Sequence, residues 1–160
     1  MNSFIKTLKK RYPNLTFKEG ERYYWSPDQK IIFYKKDEVN KESKWAILHE
    51  LGHALLDHVD YGGDYSLLRK EAKAWEKAKE LAQTFKMTID DDHIQDCLDT
   101  YRDWIYKRSI CPKCSTKCLQ KSDYRHYVCH NCHTKWKVTS SRFCRAYRKS
   151  KNIEDRLLVI

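Results

Sequence analysis

The stretch Ile47-Leu48-His49-Glu50-Leu51-Gly52-His53-Ala54-Leu55-Leu56 decides how this chain is interpreted. His49 lies four residues before His53, so on a helix both imidazoles leave the same face and can bind one Zn²⁺ at about 2.0–2.1 Å. Glu50 lies one step round the helix, within reach of a water at the open position of such a metal. Zinc lowers the pKa of that water toward about 7, where a carboxylate can take its proton. The spacing therefore predicts two metal ligands and a general base, the His-Glu-x-x-His pattern of zinc peptidases.

The residues around this pattern favour a buried helix over a chance occurrence of the motif. The apolar side chains form a broad face: Ile47, Leu48, Leu51, Ala54 and Leu55. Gly52 costs about 1 kcal/mol inside a helix, so we expect another backbone or a substrate to approach it closely. The alternative is a core helix with two incidental histidines, and the glutamate placed as a base argues against it.

Composition limits the class of protein. With 160 residues, 41% hydrophobic and 13% aromatic, the chain can form one packed domain or one domain with a small module. We see no signal peptide and no apolar run near the roughly 18 residues of a membrane span, so we expect a cytoplasmic protein without a membrane partner. Thiols are normally reduced there, so the seven cysteines indicate metal binding before disulfides.

The periodicity of residues 1–108 predicts an α+β domain with a small, antiparallel-rich sheet. We expect helices at about 3–11, 43–58, 66–85 and 91–105, and strands at about 15–18, 21–26 and 30–36. Asn40 or Ser43 is the expected cap of the motif helix. The strand at 30–36 is our candidate for the sheet edge that pairs with an extended substrate.

A catalytic zinc takes three protein ligands and keeps one open position. The candidates that follow the motif are His58, Asp60, Asp64, Glu71 and Glu76. If the helix continued straight, His58 would face about 140° away from His53. Asp60 and Asp64 fall in a loop and stay open as alternatives. Glu71 is favoured, because small residues three and seven positions later would let its helix pack tightly on the motif helix.

Two groups of residues resemble the ImmA/IrrE-type metallopeptidases, which share the gluzincin plan. They are the motif from His49 to Leu56, and Glu71-Ala72-Lys73-Ala74 with Ala78 and Leu81. The resemblance covers roughly residues 25–85. The family commonly has an acid or Gln at the position of Lys73 and Asn or Asp at that of Trp75, so a polar partner of the metal site is expected to be missing.

This resemblance implies a zincin-like fold for residues 1–108. It implies that His49, His53 and Glu71 bind a catalytic zinc, and that Glu50 is the catalytic base. Members of the family are cytoplasmic and often cleave transcriptional repressors, so it also implies a protein substrate, such as a DNA-bound regulator.

The C-terminal third contains two Cys-x-x-Cys knuckles, Cys111–Cys114 and Cys129–Cys132, with fourteen residues between them. This spacing predicts a zinc ribbon. Four thiolates leave no open position, so its zinc would be structural, with Cys118 or His133 as alternative ligands. We therefore expect residues 109–160 to form a small module with strands at 127–128 and 136–138.

Charge divides the chain in the same place. Residues 109–160 hold 12 lysines and arginines against 3 acidic residues, whereas residues 1–108 hold 20 against 19. A basic module with interleaved aromatic residues predicts a polyanion partner such as nucleic acid. The candidate contacts are Lys135, Lys137, Arg142, Arg145 and Arg148. The alternative is a solvated basic surface that only aids solubility.

These observations predict a cytoplasmic zinc metalloendopeptidase with one catalytic and one structural zinc. The rival is a non-catalytic regulator that binds nucleic acid or protein and uses the N-terminal zinc only to steady its fold. Glu50 favours the enzyme, because a purely structural zinc needs no base. A peptidase with one narrow regulatory target is a third possibility, and it would be inert on general substrates.

Overall fold

The computed structural model describes residues 3–36 and 40–138, and the backbone of residues 2, 147–150 and 157–159. Within them lie the helices α1 (Asn2–Arg11), α2 (Lys41–Leu55), α3 (Asp64–Thr84) and α4 (Asp91–Ser109). The strands are β1 (Thr16–Glu19), β2 (Tyr24–Ser26), β3 (Ile31–Tyr34), β4 (His126–Val128), β5 (Lys135–Val138), β6 (Tyr147–Ser150) and β7 (Leu157–Val159). The predicted α+β class is confirmed. None of the helices described here is both long and apolar enough to cross a membrane.

The chain forms two compact units. The first contains Met1–Tyr61 and Arg69–Ile94, and the second contains Gly62–Leu68 and Gln95–Ile160. The start of α3 thus belongs to the second unit and the remainder of that helix to the first. A division into functional domains at residue 108 stays a prediction.

The sheet of the first unit has the order β1-β3-β2. β3 pairs parallel with β1 and antiparallel with β2, so the prediction that strand 30–36 forms the sheet edge was wrong. The prediction failed because β3 inserts between β1 and β2, which therefore do not pair with each other. Phe17, Trp25 and Ile32 are buried, and α2 packs on β2 and β3. The edge strand that contacts α2 is therefore β2.

Local hydrogen bonds set both ends of α2. At its start, Asn40 Oδ1 accepts from the Ser43 backbone N–H at 2.8 Å, so Asn40 is the cap of the two residues predicted for that role. The helix ends at Leu55, three residues earlier than predicted. The N–H of Asp57 bonds to the Ala54 carbonyl at 3.3 Å, and the N–H of His58 to the His53 carbonyl at 3.1 Å. Asp57 has φ +51°, so this is a Schellman turn with aspartate where glycine is usual.

The expected close approach at Gly52 is confirmed, and the approaching group is backbone. A Cβ built on Gly52 would lie 2.6 Å from the carbonyl oxygen of Ala74 in α3. Ala74 and Ala78 are fully buried, as the small-residue stripe predicted. Because α2 and α3 approach this closely, Glu71, one turn before Ala74, is held beside the motif helix.

The sheet of the second unit is antiparallel, in the order β4-β5-β6-β7. Tyr127 pairs with Trp136 across β4 and β5, and their rings stack with centroids 5.3 Å apart. Both rings are buried among Val138 and the cysteines of the knuckles. The indole N–H of Trp136 donates to the Arg108 carbonyl at 3.1 Å, which ties β5 to the end of α4.

Candidate metal centres and active site

The first candidate centre lies where α2 meets α3. His49 Nε2 lies 3.2 Å from Glu71 Oε2 and 3.1 Å from His53 Nε2, and the separation of His53 Nε2 from the same oxygen is 3.5 Å. In a tetrahedral zinc site with bonds of about 2.0–2.1 Å, neighbouring ligand atoms lie about 3.3 Å apart. All three side chains are buried. The donor set therefore fits one zinc ion.

The other sequence candidates do not join this set. Asp60 and Glu76 are exposed, and Asp64 lies in the second unit beside Arg108. His58 is buried, but its Nδ1 contacts the back of the His53 ring and not the converging atoms. Of the five candidates for third ligand, the structure thus brings Glu71 to the two motif histidines.

Electrostatics keep Glu71 ionised. Burial alone would raise the pKa of this carboxyl, but hydrogen bonds and charge from His49 and His53 outweigh burial and hold its pKa at about 2. A carboxylate that stays charged while buried is a good ligand for a cation.

Glu50 lies beside the same centre on α2, with its carboxylate held by β2. The backbone N–H of Trp25 donates to Glu50 Oε2 at 2.7 Å. Burial raises the pKa of Glu50, and this effect outweighs the opposing influence of the two histidines. A raised pKa suits a group that must accept and then release a proton. Sequence reasoning missed the role of Trp25, because a backbone donor leaves no mark in residue type.

The Nδ1 atoms of the two motif histidines, which face away from the proposed metal, differ in their hydrogen-bond partners. His49 Nδ1 is buried and has no hydrogen-bond partner among the described residues. The ring of Trp75 lies against the His49 ring instead, with centroids 4.2 Å apart. This agrees with the expectation that tryptophan at position 75 deprives the site of a polar partner.

His53, by contrast, has two polar neighbours. His58 Nδ1 lies 2.9 Å from His53 Nδ1, and the Tyr61 hydroxyl lies 3.4 Å from the same atom. Burial, with the nearby His53 and Lys70, lowers the pKa of His58 to about 4, so His58 is neutral near pH 7. Sequence reasoning missed this contact because it extended α2 as a straight helix past Asp57.

The second candidate centre contains the four knuckle cysteines. Cys114 Sγ lies 3.5 Å from Cys129 Sγ and 3.4 Å from Cys132 Sγ, and the Cys111 and Cys132 sulfurs are 3.5 Å apart. The four sulfurs converge as a tetrathiolate zinc site requires. Cys118 is buried nearby, but its Sγ contacts the Thr116 carbonyl at 3.4 Å and does not join the cluster.

The two knuckles repeat one local structure. In each, a backbone N–H points at the first sulfur at 3.4 Å, and a threonine hydroxyl lies 3.2 Å from the second. Those hydroxyls belong to Thr116 and Thr134. Ser115 and His133 take positive φ in equivalent places. The repeat is visible in the sequence as Cys-x-x-Cys-x-Thr, a signal that sequence reasoning overlooked.

A buried polar network surrounds Asp64 in the second unit. Arg108 Nη1 lies 3.4 Å from Asp64 Oδ1, and the Tyr127 hydroxyl donates to the other carboxylate oxygen. The Asp64 backbone N–H donates to Gln120 Oε1 at 2.8 Å. Burial raises the pKa of Asp64 to about 6 against the attraction of Arg108. The network therefore ties Asp64, in the first turn of α3, to Gln120, Arg108 and Tyr127 of the same unit.

The structure describes the side chains of two of the five residues predicted to contact nucleic acid. Lys135 and Lys137 are exposed on β5 and line a cavity of about 480 Å³ together with Lys121 and the His126–Asp123 pair. Arg142 and Arg145 lie outside the described residues. Arg148 is described only as backbone in β6, opposite Val138.

Comparison with known proteins identifies a family. A family model described as Peptidase_M78, IrrE N-terminal-like domain, matches residues 9–139. No curated protein and no solved structure matches the chain. The matched range includes both cysteine knuckles as well as the motif helix.

Proposed function

Since this chain belongs to the Peptidase_M78 family of IrrE N-terminal-like domains, we propose that it is a zinc-dependent endopeptidase acting on a protein substrate in the cytoplasm. The observation that supports this most strongly is the convergence of His49, His53 and Glu71, with the Glu50 carboxylate beside them. When bound, zinc would polarise the scissile carbonyl and make a water molecule more acidic.

In this proposal Glu50 moves the proton. Its carboxylate takes the proton of the attacking water and later delivers it to the leaving amine. The Trp25 N–H, at 2.7 Å, fixes one carboxylate oxygen, so the other is available for this transfer. The raised pKa of Glu50 makes both halves of the transfer easier near neutral pH.

β2 replaces strand 30–36 as the proposed substrate-binding edge. It is the outer strand of its sheet on the side of α2. An extended peptide laid along β2 would pass the Glu50 carboxylate, because Trp25, in the middle of that strand, donates to it. The substrate is then recognised first by backbone hydrogen bonds, so a partly unfolded or extended segment of a protein is the expected target.

The test compares the wild type with Glu50→Gln at equal zinc content. Each is incubated with a cell extract, and the new N-termini are identified by mass spectrometry. The proposal predicts new termini with the wild type and none above background with Glu50→Gln, a loss of at least about 100-fold. Identical termini patterns from the two zinc-loaded proteins would instead support the non-catalytic regulator.

A second candidate function concerns the ribbon, which we propose braces its unit with a structural zinc and contacts nucleic acid. The cavity beside β4 and β5 favours it, because the three lysines that line it, Lys121, Lys135 and Lys137, attract a phosphate backbone. A fluorescent oligonucleotide should bind with an affinity that falls steeply with salt. Lys135→Glu/Lys137→Glu should weaken binding at least tenfold, whereas the control Lys9→Glu/Lys10→Glu on α1 should not. Equal binding by both double variants would reject the contact.

A further inference from the structure

We propose that His58 is a positioning residue for the metal centre. Its Nδ1 accepts a hydrogen bond from the His53 Nδ1–H, and this bond keeps His53 Nε2 unprotonated and aimed at the metal. The inference rests on the proposed zinc site, and it assigns a role to a residue that lies outside the ligand set. It begins from the 2.9 Å separation of the two Nδ1 atoms.

The end of α2 explains how His58 reaches this place. In a Schellman turn, the residue after the left-handed position donates its N–H to the carbonyl five residues earlier. Here that donor is His58, the acceptor is the His53 carbonyl, and the left-handed residue is Asp57. The turn thus folds residue 58 back over residue 53. The two side chains that meet there are usually apolar, but in this chain they are two imidazoles.

Proton bookkeeping then fixes the direction of the bond. Two ring nitrogens 2.9 Å apart share one proton between them, so one Nδ1 donates and the other accepts. If His58 donated, His53 would hold its own proton on Nε2, which faces His49 and Glu71, and could not bind a metal there. Metal binding at Nε2 therefore requires that His53 donates and that His58 accepts, with the His58 proton on Nε2.

The neighbouring groups single out His58 as the support of this site. The Tyr61 hydroxyl is 3.4 Å from His53 Nδ1, half an ångström farther than His58, and its side chain is 37% exposed. His58 is only 7% exposed. The other ligand histidine, His49, has no described partner at Nδ1. Among the described residues, His58 thus makes the shortest hydrogen bond to the Nδ1 atom of either motif histidine.

The first experiment measures zinc affinity by competition with a chelator. The chelator removes zinc from each site in a separate phase. The phase of zinc release that is missing in the double variant His49→Ala/His53→Ala belongs to this site. Such supporting hydrogen bonds change metal affinity by about 10–100-fold, so we expect that loss for His58→Phe, which keeps the ring but has no acceptor. His58→Asn should recover most of the affinity, because its side-chain oxygen can take the place of Nδ1. Tyr61→Phe should bind zinc within about threefold of the wild type.

The outcomes separate this inference from the proposed function. If the wild type binds no zinc in that phase, both fail. If the wild type binds zinc and His58→Phe binds it equally well, or His58→Asn is as weak as His58→Phe, only the role of His58 is wrong. Nitrogen NMR of the zinc-loaded wild type needs no variant. The inference predicts that His58 is protonated on Nε2 and bare on Nδ1, and a proton on His58 Nδ1 would overturn it.

Discussion

Gly52 shows how a single residue can place Glu71, the proposed third ligand. The missing side chain lets the Ala74 carbonyl come so close that a Cβ would lie 2.6 Å from it. Glu71 on the same helix then reaches the two histidines. The sequence predicted a close contact at Gly52, because glycine is unfavourable inside an apolar helix. The small residues Ala74 and Ala78 indicated which helix makes that contact.

We expect Gly52→Ala to destabilise the protein, although alanine is the better helix former by about 1 kcal/mol. The new methyl group meets rigid backbone of α3, and overpacking of this kind costs about 1–3 kcal/mol. Because α3 must move, zinc affinity at the motif site should also fall. Thermal unfolding and chelator competition measure both effects. Gly20→Ala is the control, since its nearest contact is the movable Phe33 side chain at 3.2 Å. A more stable Gly52→Ala protein would contradict the packing account.

Arg108 supports a second prediction at the residue scale, one that depends on pH. The pKa of Asp64 is raised from 3.8 to about 6 by burial, so this carboxyl contributes less to stability as pH rises between those values. Arg108→Met removes the opposing cation and raises the pKa further, so the decrease continues above pH 6. We expect a loss of about 3 kcal/mol at pH 8 and much less at pH 5.

Urea unfolding at the two pH values measures this difference. Lys107→Met is the matched control, because Lys107 is the exposed neighbour on α4. An equal loss at pH 5 and pH 8 for Arg108→Met would mean that the guanidinium acts through packing, for example on the Trp104 ring 4.0 Å away, and not through the carboxylate.

At the scale of elements, the prediction from sequence succeeded where a periodic pattern determines the structure. The helices have clear apolar stripes, and the motif and Glu71 lie within them. It failed at β3, because the order of strands depends on how the chain turns at Lys30 and brings β3 back beside β1, which no local pattern records. It also failed at the end of α2. Asp57 gave no glycine or proline signal, so the turn that brings back His58 was not anticipated.

The turn itself provides a test at this scale. Asp57→Gly should leave zinc affinity unchanged and should not lower stability, because glycine takes positive φ without a steric penalty. Asp57→Val should lose about 1–3 kcal/mol, because a β-branched residue is strained at φ +51°. It should also lose zinc affinity as His58 moves from His53. Glu21→Val is the control for an exposed loop valine at a position without positive φ. Normal zinc affinity in Asp57→Val would show that the turn does not position the site.

At the scale of the whole molecule, the chain contains two candidate metal centres of different kinds. The four sulfurs of the cysteine cluster would leave no ligand position free on a bound zinc, whereas two histidines and a carboxylate would leave one position for water or substrate. The spacing of the cysteines predicted their cluster without any knowledge of the fold. The polar network of Asp64, Arg108 and Tyr127 was not predictable, because its members are far apart in sequence and carry no motif.

The central claim is that the motif helix and Glu71 form a zinc site separate from the ribbon. The most direct measurement is zinc content per chain in the wild type and in His49→Ala/His53→Ala, each purified without added chelator and then dialysed against zinc. The account predicts two zinc ions in the wild type and one in the double variant. One zinc ion in both proteins after dialysis would contradict it, because the converging side chains would then not bind the metal that the proposed chemistry requires.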